Sequence, residues 1–191
     1  MFPKKERNNK NNICHKFPKG LGCKSHRPRV NIGTDHAGFA LKEKLVPFIK
    51  NLGYEVVDFG AFKYEKEDDY PDYISSVAKT VALNPEHNIG IILGGSGQGE
   101  AIVANRFPNV RATVYYGDIG TFSKINPTRY YREHNDSNIL SLGARFLTEK
   151  SAKNAVKIWL GTPFSNGERH KRRIKKIERV SREIRCNTDF K

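Results

Sequence analysis

The chain has 191 residues, enough for one domain with tails. Hydrophobic residues make up 37% of it, and no apolar run is long enough for a membrane-spanning helix. The net charge of +14 suggests a polyanion partner until it is mapped: residues 1–28 hold eight Lys/Arg and one Glu, residues 168–191 hold ten Lys/Arg and four Asp/Glu, and the stretch between them is left with about +1.

The composition therefore divides the chain into a basic extension over 1–28, a near-neutral globular domain over 29–167 and a basic arm over 168–191. The extension is rich in Lys, Asn and Pro and lacks apolar clusters, which predicts disorder. It has no apolar core of a secretory signal, and it is poor in Ser for an organellar transit peptide. Cys14, Cys23 and Cys186 are an odd, sparse set that points to a reducing compartment, so a cytoplasmic location is expected. Cys14-His15 and Cys23-x-x-His26 match no zinc-ligand spacing, and no metal or cofactor is expected.

In chain order, residues 30–34 (VNIGT) read as a first strand. Residues 38–52 follow with Phe39, Leu41, Leu45, Phe48, Ile49 and Leu52 at helical spacing, and Pro47 is expected to kink or break that helix near Val46. Gly53 closes it. A second strand is predicted over 55–59 (EVVDF), then a polar, acidic loop over 64–72 and a helix over 73–83. Residues 88–93 (NIGIIL) make a third, wholly apolar strand. A glycine loop over 94–99 leads into a helix over 100–105. Strands are predicted over 111–115 and 138–142, and a helix over 148–160 with Thr148 as N-cap. Alternating strands and helices with continuously apolar strands predict an α/β fold. Its centre is a Rossmann-like, doubly wound parallel sheet of about five strands with helices on both faces, followed by a C-terminal helical arm.

Chemistry-bearing residues collect around predicted strand ends. Asp35-His36-Ala37-Gly38 follows the first strand and Gly94-Gly95-Ser96-Gly97-Gln98-Gly99-Glu100 the third. Arg132-Glu133-His134-Asn135-Asp136 precedes the fifth, and Arg169-His170-Lys171-Arg172-Arg173 opens the arm. Four glycines in six residues let backbone N–H groups gather round an anion. The loop is neither a Walker A sequence nor a dinucleotide fingerprint. Each segment also has a plain reading, as a tight turn, a cap, a loop histidine or a solvated helix face. Their expected gathering at one end of one sheet favours a site.

The ordered segments GTDHAGFALKEKL, DYPDY, GGSGQGEAIVAN, REHNDSNILSLGAR and ERHKRRI resemble the ribose-5-phosphate isomerase B family, which also holds the galactose-6-phosphate isomerase subunits; the resemblance spans about residues 29–180. It implies a metal-free aldose–ketose isomerase of the pentose phosphate pathway that moves a proton between C2 and C1 through an enediolate. One branch of the family takes its base from a cysteine just before the glycine loop, where this chain has Gly94. The other takes it from a glutamate just after the loop, where this chain has Glu100.

The resemblance assigns Glu100 as base, Ser96 as proton shuttle, and His134 with Asp35 to ring opening. The backbone of Gly95, Gly97 and Gly99 forms the oxyanion hole, and Asn135 and Tyr70 meet the sugar. His36, Arg145, Arg169 and Arg173 bind phosphate, with His170 assisting. It further implies a homodimer, or a tetramer, whose active sites are shared between subunits, the arm docking through Ile174, Ile177 and Ile184.

Residues 117–131 are longer than the family's usual connection, and Pro127 is expected to interrupt a helix there. That segment leaves open galactose 6-phosphate or another sugar phosphate as substrate. A nucleic-acid or polyanion binder working through the basic tails is the alternative of a different class.

Overall fold

The computed structural model describes residues 27–117 and 127–186. Cys14, Cys23, nearly all of the N-terminal extension, residues 118–126 of the long connection, and the side chains of Ile184 and Cys186 lie outside the described residues.

Five strands, β1 (Arg29–Thr34), β2 (Val56–Asp58), β3 (Asn88–Gly94), β4 (Ala112–Tyr115) and β5 (Ile139–Gly143), form one parallel sheet in the order β2-β1-β3-β5-β4. Six helices accompany them: α1 (Phe39–Asn51), α2 (Tyr70–Leu83), α3 (Gln98–Ala104), α4 (Pro127–Asn135), α5 (Glu149–Gly161) and α6 (Glu168–Cys186). This is the doubly wound α/β fold expected from the alternation of elements.

Central β3 shows why its sequence is apolar throughout. Ile89, Ile91 and Leu93 face Leu45 and Ile49 of α1 and Ala155, Val156 and Trp159 of α5. Ile92 faces the opposite layer, with Val77 and Val81 of α2 and Ala104 of α3. A strand covered on both faces must be apolar at consecutive positions, which a period-two pattern would not allow.

Three helix boundaries differ from expectation. Helix α1 runs unbroken through Pro47. Proline removes the hydrogen bond to the carbonyl four residues back, and that residue, Glu43, is exposed, as Pro47 is, so water can satisfy the orphaned oxygen. Helix α2 begins at Tyr70, three residues before the apolar period starts, because Pro71 sits in its first turn where no N–H is needed. Pro127 is likewise the first residue of α4 rather than an interruption. Arg27 already packs on the domain: its guanidinium donates to Leu52 O at 2.8 Å and lies over the Tyr54 ring.

The sheet order reverses between β1 and β3, which opens a crevice at their carboxyl ends. One buried charge braces that end. Lys42 is fully buried, with Nζ 2.5 Å from Asp58 Oδ2 and 3.1 Å from Glu43 Oε1. Asp58 Oδ1 accepts the Gly60 N–H, and Gly60 O in turn accepts the Thr34 N–H directly before Asp35. Lys42→Ala strands the Asp58 carboxylate and leaves a hole, so it is expected to destabilise the fold by about 3 kcal/mol. A lower urea midpoint with unchanged slope is the readout.

Candidate active site

The turn after β1 carries Asp35 and His36. Asp35 is buried, and its Oδ1 accepts the Ala37 N–H at 3.0 Å. Burial raises its pKa above the ordinary 3.8, with Asp68 adding to the rise and His36 opposing it. His36 is tied to Asp68, whose Oδ1 lies 2.9 Å from the His36 backbone N and 2.7 Å from Nδ1.

The glycine loop after β3 brings the next groups. Gly94 has no side chain, and the space a Cβ would fill is taken by the Glu100 carboxylate. Glu100 reaches back over the end of β3 from the first turn of α3 and is 4% exposed. Its pKa is raised above 4.5, first by burial and then by the neighbouring Asp35 carboxylate. Gly97, at φ 76°, takes the left-handed turn that the reversal requires, and its carbonyl accepts from Ser141 Oγ at 2.6 Å. Ser96 Oγ accepts the Gln98 N–H at 3.3 Å.

Two elements close over this loop. The turn after β5 donates Ala144 N–H to Gly94 O at 2.8 Å and Arg145 N–H to Gly95 O at 3.1 Å, which sets the Arg145 guanidinium against Gly95. From the start of α2, the Tyr70 ring packs on Gly99. Asp35, His36, Tyr70, the loop glycines, Ser96, Glu100 and Arg145 thus share the carboxyl end of the sheet.

His134 and Asn135 do not join them. They end α4, and the chain turns at Asp136 (φ 45°) straight into β5, so they sit at the amino end of the sheet. Arg111, just before β4, confirms that position: its Nε donates to Asn135 O at 3.1 Å and Asp136 O at 3.0 Å, and its other nitrogens meet Asp136 Oδ2 at 3.0 Å and Glu178 Oε1 at 3.4 Å. The start of α6 is here too. The His170 ring stacks on His134 with centroids 4.5 Å apart and planes 8° off parallel. Its pKa falls below 6.5, through desolvation first and then the positive field of His134, Arg169 and Arg173.

A cavity of about 590 Å³ opens beside this group, lined in part by His134, Asn135, Arg173, Ile174 and Ile177. Strands rise about 3.3 Å per residue, so the two ends are separated by roughly 15–20 Å. The expectation that all segments gather at one end of one sheet is therefore corrected. A helix that returns antiparallel to the strands delivers its last residues to the far end, and α4 does so.

Asp68 and Arg111 escaped sequence reading. Asp68 lay in an acidic run with no period to distinguish it, and Arg111 read as the first residue of a strand. Among the described residues, Asp35, His36 and Asp68 bring one donor atom each within 4.8 Å, the one grouping with metal-ligand spacing. Its closest pair is already joined by the His36–Asp68 hydrogen bond. No helix of the described residues is long and apolar enough to cross a membrane.

Comparison with known proteins bears on this arrangement. The model of the ribose/galactose isomerase family matches residues 30–177. The chain belongs to the ribose/galactose isomerase family. Ribose-5-phosphate isomerase B of Escherichia coli K12 is 37% identical over 152 residues, covering 80% of this chain and 95% of that protein. The enzyme of that name from Mycolicibacterium paratuberculosis is 36% identical over 146 residues, covering 76% and 87%. Among solved structures, ribose-5-phosphate isomerase B from Mycoplasma genitalium with bound ribulose 5-phosphate superposes with a TM-score of 0.75 at 32% identity, covering 81% of this chain and 97% of that one. The type B enzyme of Trypanosoma cruzi gives 0.74 at 38% identity, covering 82% and 98%.

For this member of the family, Gly94 and Glu100 form a coupled pair. Gly94→Ala is expected to displace the carboxylate and lower turnover about 10²-fold, while the same change added to Glu100→Gln costs little more. The cycle is read from kcat/KM of the four proteins.

Burial also sets a stability cost. A carboxylate whose folded pKa is raised binds its proton more tightly when folded, so its favourable contribution is present below about pH 4.5 and is lost as pH rises through the folded value. Glu100→Gln should therefore raise Tm at pH 7, and the gain should shrink toward pH 4. Thermal melts at both pH values test this.

Proposed function

We propose that the protein is an aldose–ketose isomerase that interconverts ribose 5-phosphate and ribulose 5-phosphate, with Glu100 as the base. The observation that carries this reading is the buried Glu100 carboxylate held over Gly94 beside the glycine loop. A carboxylate with a raised pKa is basic enough to remove a C–H proton next to a carbonyl and acidic enough to return it to the neighbouring carbon. Loop N–H groups over residues 95–99 stabilise the oxygen on which charge develops, and Ser96 relays a proton between the substrate oxygens. Relatives named ribose-5-phosphate isomerase B support the choice of sugar.

His134, the ring-opening acid or base, stands at the other end of the sheet from Glu100. Two copies related by a two-fold axis remove this difficulty, because the His134 end of one then meets the Glu100 end of the other. Arg169, Arg173, His170 and Asn135 arrive with His134 and supply cations and a hydrogen-bonding amide; His36, Arg145 and Tyr70 come with Glu100. In this reading the working unit is a homodimer with two shared sites. The thinly packed α6, with Ile177 and Val180 at least half exposed, is the arm that reaches across.

Glu100→Gln should lower kcat about 10³-fold in ribose 5-phosphate assays run in EDTA, and wild-type activity should survive the chelator. Wild-type turnover in the variant would remove Glu100 from the role of base. Subunit mixing tests the shared site. Glu100→Gln and His134→Asn are each expected to be nearly inactive alone. In an equal mixture of exchanging chains half the dimers are hybrids with one intact site of two, so about a quarter of wild-type activity should return. No recovery under exchange conditions would place both residues in one chain's site or neither.

A further inference from the structure

The acidic run ahead of α2 commits a buried carboxylate to the turn after β1. The Asp68 side chain is 6% exposed. Its Oδ1 accepts twice from His36, once from the backbone N–H and once from the ring. Its Oδ2 is buried and makes no hydrogen bond of ordinary geometry among the described residues, although Asp68 lies close enough to Tyr73 to join desolvation, the larger cause, in raising the pKa of that phenol. An unsatisfied buried carboxylate oxygen is a cost to the fold, so stability alone does not account for this placement.

The consequence for His36 is specific. An imidazole has two nitrogens, and the partner of one decides the state and direction of the other. An oxygen that already accepts the backbone N–H accepts again from Nδ1. The backbone bond fixes the residue and the ring bond fixes its rotation, while Asp35 holds the same turn through Ala37 N–H. The Tyr64 ring meets His36 edge to face with centroids 6.1 Å apart and limits the remaining swing.

We propose that Asp68 is a positioning residue that holds His36 with Nδ1–H toward Oδ1 and Nε2 turned outward, so that Nε2, once the ring takes up its second proton, is the donor presented to the anionic end of the substrate. The identity of that substrate rests on the isomerase reading above; the state of the ring does not.

The test separates the two. In protein labelled with ¹⁵N-histidine, His36 is assigned by its loss in His36→Gln. The neutral ring is expected as the Nδ1–H tautomer in the wild type and to shift toward Nε2–H in Asp68→Ala. In kinetics with ribose 5-phosphate, Asp68→Ala should raise KM about tenfold and change kcat less than about threefold, as expected when an orienting group is lost but the base is intact. Asp68→Asn, nearly the same shape, carries the tautomer measurement if the alanine variant does not fold. An Nε2–H tautomer in the wild type, or a tautomer unmoved by both substitutions, overturns the proposal. So does a loss confined to kcat. If ribose 5-phosphate is not turned over at all, the isomerase reading fails while the tautomer still decides the role of Asp68.

Discussion

The site is organised around a missing atom. Gly94 ends a strand buried along its whole length, and the Glu100 carboxylate occupies the volume that any side chain there would claim. Two residues six apart in sequence thus exclude one another's alternatives: a base carried on residue 94 and a base carried on residue 100 compete for one space. The loop between them must turn back sharply, which Gly97 achieves with positive φ, and the hydrogen bonds from Ala144 and Arg145 clamp it to the end of β5. Burial then does the chemical part. Removed from water and set beside Asp35, the Glu100 carboxyl holds its proton more tightly than a surface glutamate would. The same burial opposes folding at neutral pH.

A second constraint comes from parallel topology. Strands that all run one way send every strand-to-helix turn to one end and every helix-to-strand turn to the other. Asp35, His36 and the glycine loop belong to the first kind of turn; His134 and Asn135 belong to the second. The length of the sheet lies between them. The Arg111–Asp136–Arg132 cluster fixes the second group firmly, with Arg132 also bonded to Asp136 Oδ1 at 2.9 Å and lying over the Trp159 ring. Well-built halves at opposite ends of one domain make sense when two domains combine, which is why the proposed working unit is a dimer.

Much of this was legible in the sequence because the signals were local. Apolar runs marked the strands, Thr148 capped α5 through Ser151 N–H at 3.1 Å, and the glycine loop stood out by composition. Helix starts at Pro71 and Pro127 were harder, since proline is a breaker inside a helix and a starter at its first turn, and only the finished turn distinguishes the two. Pro47 was misjudged because its cost depends on whether the orphaned carbonyl faces water. The placement of His134 failed for a different reason: grouping residues by nearness to strands ignores which end of the strand they join. Asp68 had no signal, because its meaning lies in a contact with a residue 32 positions away.

The central claim is that one catalytic site is assembled from the Glu100 end of one chain and the His134 end of another. A crystal structure of the protein with ribulose 5-phosphate bound addresses it most directly. The account predicts a ligand whose reacting carbons lie beside Glu100 of one protomer while His134 and Arg173 of its partner contact the same molecule. A ligand held wholly by one chain, or bound away from Glu100, would contradict it.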